Sequence, residues 1–159
     1  MSIRDRDGEK DKKDENSRIR DIEKKFAIKE AESMAVGLDS LDGVMSCVEK
    51  TGEGMQFHEA EITFYSTNGR LGSNFDIENP TIGKVVRWVD PQQKGYFSRD
   101  KEFVAEFQIS GRNYSYGTIR YIFMDGRSSL SVQDEVLLER VHDALALLAG
   151  RLRKAEYKV

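Results

Sequence analysis

The stretch Ser115-Tyr116-Gly117-Thr118-Ile119-Arg120-Tyr121-Ile122-Phe123-Met124, then Asp125-Gly126-Arg127-Ser128-Ser129, then Ser131-Val132-Gln133-Asp134, decides the fold. Its first part is apolar on both sides toward its end, as a strand in a central, buried position must be. The glycine- and serine-rich part turns the chain. Ser131, with an acid three residues on, then opens a helix. That helix shows one apolar face, made of Leu137, Leu138, Val141, Leu145, Leu148, Ala149 and Leu152. Arg151, Arg153 and Lys154 fall in its last turns, where cations suit the helix dipole. A buried strand and a one-striped helix each need the other's apolar surface, which points to an α+β fold.

Upstream the same logic finds more strands. Phe103, Ala105, Phe107 and Ile109 alternate with Val104, Glu106 and Gln108, and Gly111-Arg112-Asn113 makes a turn. Residues 84–89 are β-branched and carry the only tryptophan, Trp88, before Asp90-Pro91 stops them. Ala60, Ile62 and Phe64 alternate with Glu61, Thr63 and Tyr65, a half-buried strand. Asn68-Gly69 follows, a two-residue hairpin signal that predicts a return strand over 70–75. Residues 76–83 and 92–100 read as loops.

The N-terminal third is helical. Ser17 can cap, and Ile19, Ile22 and Phe26 follow at spacings of three and four. The stripe resumes as Met34, Leu38, Leu41, Met45 and Val48, with Gly37 and Gly43 predicting a bend or two consecutive helices. Thr51-Gly52-Glu53-Gly54 is expected to end it. Residues 1–17 are nearly all charged or small and cannot bury, so a disordered or frayed lead-in is expected before a single domain at 18–159. The expected architecture is an antiparallel sheet with N- and C-terminal helices packed on one face. The opposite face would carry the 68–100 region and a pocket.

Composition narrows the function. The chain has 159 residues, the size of one domain, with 25 Lys and Arg against 28 Asp and Glu and a net charge of -3. Nucleic-acid binders are usually basic, so no nucleic-acid partner is expected, despite basic and aromatic residues interleaving at Arg87, Trp88, Arg112, Tyr114, Arg120 and Tyr121. A lone cysteine, Cys47, permits no internal disulfide and suggests a reducing, cytoplasmic setting. No apolar run approaches the roughly 20 residues that span a bilayer. The charged N-terminus lacks a signal-peptide core, so direct membrane insertion is not expected.

Chemistry-bearing motifs are absent. His58 and His142 have no Cys or His partner at ligand spacing, so no metal site is expected. Neither phosphate-loop, dinucleotide, nucleophile-elbow nor zincin spacing occurs, so neither a cofactor nor catalytic residues are assigned. Cys47 is expected to be buried between Val44 and Val48, and His142 to pack at the edge of the helix stripe. Asp76, Glu78 and Asp90 read as solvated loop carboxylates. Two features remain. Trp88, Tyr96, Phe97, Tyr114 and Tyr116 are the candidates for a small-molecule pocket on the sheet face opposite the helices. Ile19, Ile22 and Phe26 form a narrow seam with charged flanks, the pattern of a homodimer helix.

The N-terminal helix, Asn-Gly hairpin, antiparallel sheet and closing helix together resemble the GAF domain outline. Residues 116–123 resemble its glycine-then-buried-strand element, and residues 130–141 its serine, acid, leucine-rich helix ending. The resemblance covers about residues 31–155 and implies a regulatory, interaction or small-molecule-sensing module. A narrower resemblance rests on Trp88-Val89-Asp90-Pro91, the strand at 103–109 and the charged stretch 4–14. These are similar to the GAF-like tails that follow the last membrane helix of bacterial polyprenyl-phosphate N-acetylglucosamine-1-phosphate transferases. That likeness implies a regulatory piece whose chemistry lies in a membrane part. Histidine kinases and cyclases carry such domains too. The Asn-Lys, Phe and Asp-Glu signature of cyclic-nucleotide-binding members is missing, and Cys47 lies on a predicted helix rather than where a bilin would attach.

Overall fold

Helical and period-two segments alternate in the order α1 (Ile3–Val36), a short 3-10 turn (Leu41–Gly43), α2 (Val44–Met55), β1 (Glu59–Tyr65), β2 (Ile82–Val89), β3 (Phe103–Ser110), β4 (Ser115–Phe123) and α3 (Val132–Tyr157). The computed structural model describes residues 3–65, 82–92, 102–111 and 115–157, with side chains over 15–152 within those ranges. The α+β class is as expected: an antiparallel four-stranded sheet with helices at both ends of the chain.

The sheet order is β2-β1-β4-β3, so β1 and β4 are central. Ala60 lies opposite both Trp88 of β2 and Tyr121 of β4. Both edges of β1 are therefore occupied. One of its partners is Ile82–Val89; the return strand expected over 70–75 and the Asn68-Gly69 turn lie outside the described residues. Alternation puts Ala60, Ile62, Phe64, Val86, Ala105, Ile109, Ile119, Tyr121 and Phe123 on one face, all buried. The other face carries a row of charge across all four strands, Arg87, Glu61, Arg120 and Glu106 in register. Opposite charges on neighbouring strands suit a solvated sheet face.

The helices cover the apolar face in two layers. α2 packs on β2, α3 packs on β3 and β4, and α1 lies across α2 and α3. Small residues permit this. A Cβ at Gly54 would stand 3.2 Å from the Lys24 carbonyl oxygen and 3.3 Å from Ala27 Cβ, so glycine there lets α2 lie close against α1.

Several local expectations shift. α1 begins at Ile3, so the charged lead-in expected as a separate disordered stretch is continuous with the helix; lysine, arginine and glutamate are good helix formers. The inward stripe of α1 is Ala27, Ile28, Ala31 and Ala35, while Met34 and Met45 are exposed. Gly37 ends α1 by donating to Ser33 and Met34 carbonyls, and the break resets the helical phase before α2. α2 runs past Gly52 and Gly54 to Met55, because both glycines are buried packing positions rather than stops. It closes at Gln56, in the left-handed conformation at φ 63°, whose N–H donates to Gly52 O at 2.7 Å.

Candidate functional site

α1 presents two faces. Every side chain from 15 to 23 is exposed, and Lys24 is the first to gain partial cover. Lys24 Nζ pairs with Asp134 Oδ1 at 2.9 Å. Asp134 is held in place because Ser131 caps α3: its hydroxyl accepts from Asp134 N–H at 3.1 Å, as the capping pattern predicts. At the other end, Arg151 Nη2 donates to Val36 O at 3.1 Å. These contacts fix α1 and α3 side by side, running in the same direction.

Opposite the inward stripe, Ile19, Ile22 and Phe26 stand 52%, 65% and 63% exposed. Lys29, Ser33 and Val36 continue the line at the same alternation of three and four, and all are exposed. The three candidates for a dimer helix thus share one face, and that face points away from the body.

The aromatic candidates are not brought together. Trp88 faces the helices, not the opposite sheet face: its ring meets Phe57 edge-on at 5.4 Å and lies over Gly52. It lines a cleft of about 460 Å³ with Glu49, Glu53, His58 and Asp90. His58 is a structural tie there, its Nδ1 accepting from Met124 N–H at 3.0 Å and its backbone bonding Ile122 and Asp90.

Tyr116 lies elsewhere. Ile109 pairs with Gly117 but Ser110 pairs with Ser115, so Tyr116 is the extra residue of a β-bulge. The bulge turns its ring toward α3, where its hydroxyl would be 3.0 Å from a Cβ at Gly150. It lines a separate hollow of about 570 Å³ with Asp143, Leu147, Gly150 and Arg151. Tyr96, Phe97 and Tyr114 lie outside the described residues.

Three perturbed acidities sit in the core. Cys47 is fully buried as expected; burial pushes its thiol up to about 12, and it donates to Ala31 O at 3.2 Å. A thiol held protonated makes a poor nucleophile. His142 is buried rather than at the edge of the stripe, 2.7 Å from the Tyr121 hydroxyl and packed on Phe107. Desolvation lowers its pKa to about 4 and raises that of Tyr121 well above its ordinary value. Among the described residues no cluster of three His, Cys, Asp or Glu is placed to hold a metal ion. Nor is any helix among them long and apolar enough to cross a membrane.

Sequence reasoning missed the Tyr121–His142 pair and the bulge at Tyr116. The only sequence signal for the first was a histidine among leucines on α3. The second leaves a trace in the short, glycine-flanked connection before Ser115. No protein-family model matches the chain, and no curated protein matches its sequence.

Proposed function

We propose that the chain is a non-catalytic regulatory or interaction module, GAF-like in architecture, that self-associates through α1. We place it in a larger bacterial protein, such as a membrane sugar-phosphate transferase or a signalling protein, on the cytoplasmic side. The observation that carries the reading is the outward face of α1. Three large apolar side chains, each more than half exposed, line one side of a helix whose opposite side is engaged by the body from Lys24 onward. Exposed apolar residues gathered on one element mark contact surfaces more often than scattered ones do. Burial of the Cys47, Tyr121 and His142 groups in the core, away from either cleft, supports the non-catalytic part.

Sedimentation velocity over a range of concentrations tests this. The wild-type chain is expected to pass from monomer to dimer, and Ile22→Glu to remain monomeric with its fold intact. A wild-type chain that is monomeric throughout refutes the reading.

A second reading, a small-molecule sensor, is favoured by the hollow beside Tyr116. There one aromatic ring, an acid and a base (Asp143 and Arg151) converge next to exposed Leu147. Thermal-shift screening against nucleotides and nucleotide-sugars tests it; a rise in midpoint that Tyr116→Ala abolishes would support a ligand there.

A further inference from the structure

The charges that flank the outward seam select one arrangement of two copies. The spacing of Ile19, Ile22 and Phe26 allows one heptad assignment, with Ile19 and Phe26 at a and Ile22 at d. The body agrees with this assignment independently. The buried residues of α1, Ala27, Ile28, Ala31 and Ala35, then fall at b, c, f and c, on the side away from the seam. A second helix can therefore lie along the a and d line without displacing α2 or α3.

With that register fixed, the flanking positions are set. Arg18 and Lys25 occupy g, and Glu23 and Glu30 occupy e. In a parallel, in-register pair each g residue faces the e residue five positions on in the partner. Arg18 then meets the partner's Glu23, and Lys25 the partner's Glu30, so every flanking contact joins opposite charges. In an antiparallel pair g faces g and e faces e. With Ile22 stacked on the partner's Phe26, Lys25 would face the partner's Lys25 and Glu23 the partner's Glu23, so the charges flanking the centre of the seam would repel and neither Arg18–Glu23 nor Lys25–Glu30 could form. Arg18, Glu23 and Lys25 are exposed and make no ion pair among the described contacts. Glu30 also bonds Lys50 at 2.9 Å and shares its charge with it.

Resting on the self-association reading above, we infer that two copies of this chain join their α1 helices in parallel and in register. The bodies then lie on opposite outer flanks of the pair and point the same way along it. Such a dimer is selected by the Arg18–Glu23 and Lys25–Glu30 contacts between copies.

Charge reversal of the full chain separates the possibilities, with the dissociation constant read by sedimentation equilibrium at low salt. In the parallel pair, Arg18→Glu alone places acids opposite acids and weakens association about fivefold, and Glu23→Arg alone does the same with bases. An equimolar mixture of the two variants restores wild-type affinity, because both contacts of the mixed dimer are again complementary. Raising salt flattens these differences. Both positions are solvent-exposed, and an unchanged melting midpoint at low concentration confirms that the body still folds. If either reversal tightens association, or both weaken it and the mixture fails to restore it, the helices are not parallel and in register and the inference falls. If neither reversal alters a dimer that forms, the seam is not the interface and the inference falls again, while self-association stands. A wild-type chain that never dimerises removes both.

Discussion

His142 and Tyr121 are the residues whose chemistry is most constrained. Their side chains meet at 2.7 Å in the core, and desolvation holds the imidazole neutral down to about pH 4. The unfolded chain takes up that proton near the ordinary histidine value of about 6.5. Between those values the unfolded state binds more protons, so stability falls as pH drops from about 6.5 to 4 and is level in this respect above 6.5. The loss amounts to about 2 kcal/mol by pH 5. Urea denaturation at pH 7 and pH 5 should show it, and the double variant Tyr121→Phe, His142→Leu should lose most of that slope. Tyr121→Phe alone leaves a buried imidazole without its partner and should cost about 1–2 kcal/mol at pH 7. Gln56 gives a test of opposite sign. It closes α2 at φ 63°, a conformation that favours glycine, so Gln56→Gly should stabilise the chain by about 0.5–1 kcal/mol in the same assay. Burial of Cys47 was legible from its neighbours Val44 and Val48, because one helical stripe decides it. The Tyr121–His142 contact was not, because its two residues are 21 apart in sequence and meet only once α3 lies on β4.

At the scale of elements, period decides what can be read and phase decides what cannot. β1, β3, β4 and α3 were all legible, each from its own alternation or stripe. The Asn68-Gly69 signal concerns residues outside those described, and it gave no hint that Ile82–Val89 fills one edge of β1, because a turn dipeptide reports local backbone preference and not which segment fills a sheet edge. The core stripe of the N-terminal helices was misassigned to Met34 and Met45 for a related reason. Alanines at 27, 31 and 35 carry little hydrophobic signal, yet they let three helices approach closely. Gly117 shows how an element depends on one missing atom. A Cβ there would stand 1.9 Å from the Thr63 carbonyl oxygen, in the backbone of the neighbouring central strand. Neither strand can retreat, since each is paired on both sides. Gly117→Ala should therefore cost about 3 kcal/mol or more, seen as loss of cooperative unfolding or of soluble expression. By contrast Gly126, with φ 88° and open space around it, should lose only about 1 kcal/mol on change to alanine, from backbone conformation alone.

The whole molecule divides into a body and a projecting helix that share one continuous α1. Covering of α1 by the body begins at Lys24, which joins the N-terminus of α3 through Asp134. Residues 15–23 have no buried side chain, so the body gains little apolar burial from them. A helix with so little support is marginal in water by itself and gains most from a second helix along its seam. The two parts should therefore respond differently to dilution. If self-association and folding are linked, the melting midpoint of the intact chain rises with protein concentration, because the dimer is favoured by mass action and the unfolded chain is not. A shortened chain beginning at Glu23 retains the Lys24–Asp134 pair and the whole inward stripe, but lacks Ile19 and Ile22. Its midpoint should match that of the dilute intact chain within a few degrees and should not move with concentration. Differential scanning calorimetry of both chains over a hundredfold range of concentration makes the comparison. A midpoint of the shortened chain far below that of the dilute intact chain would mean that residues 3–22 stabilise the body directly. The exposed seam would then be serving the fold of a single copy and not the joining of two.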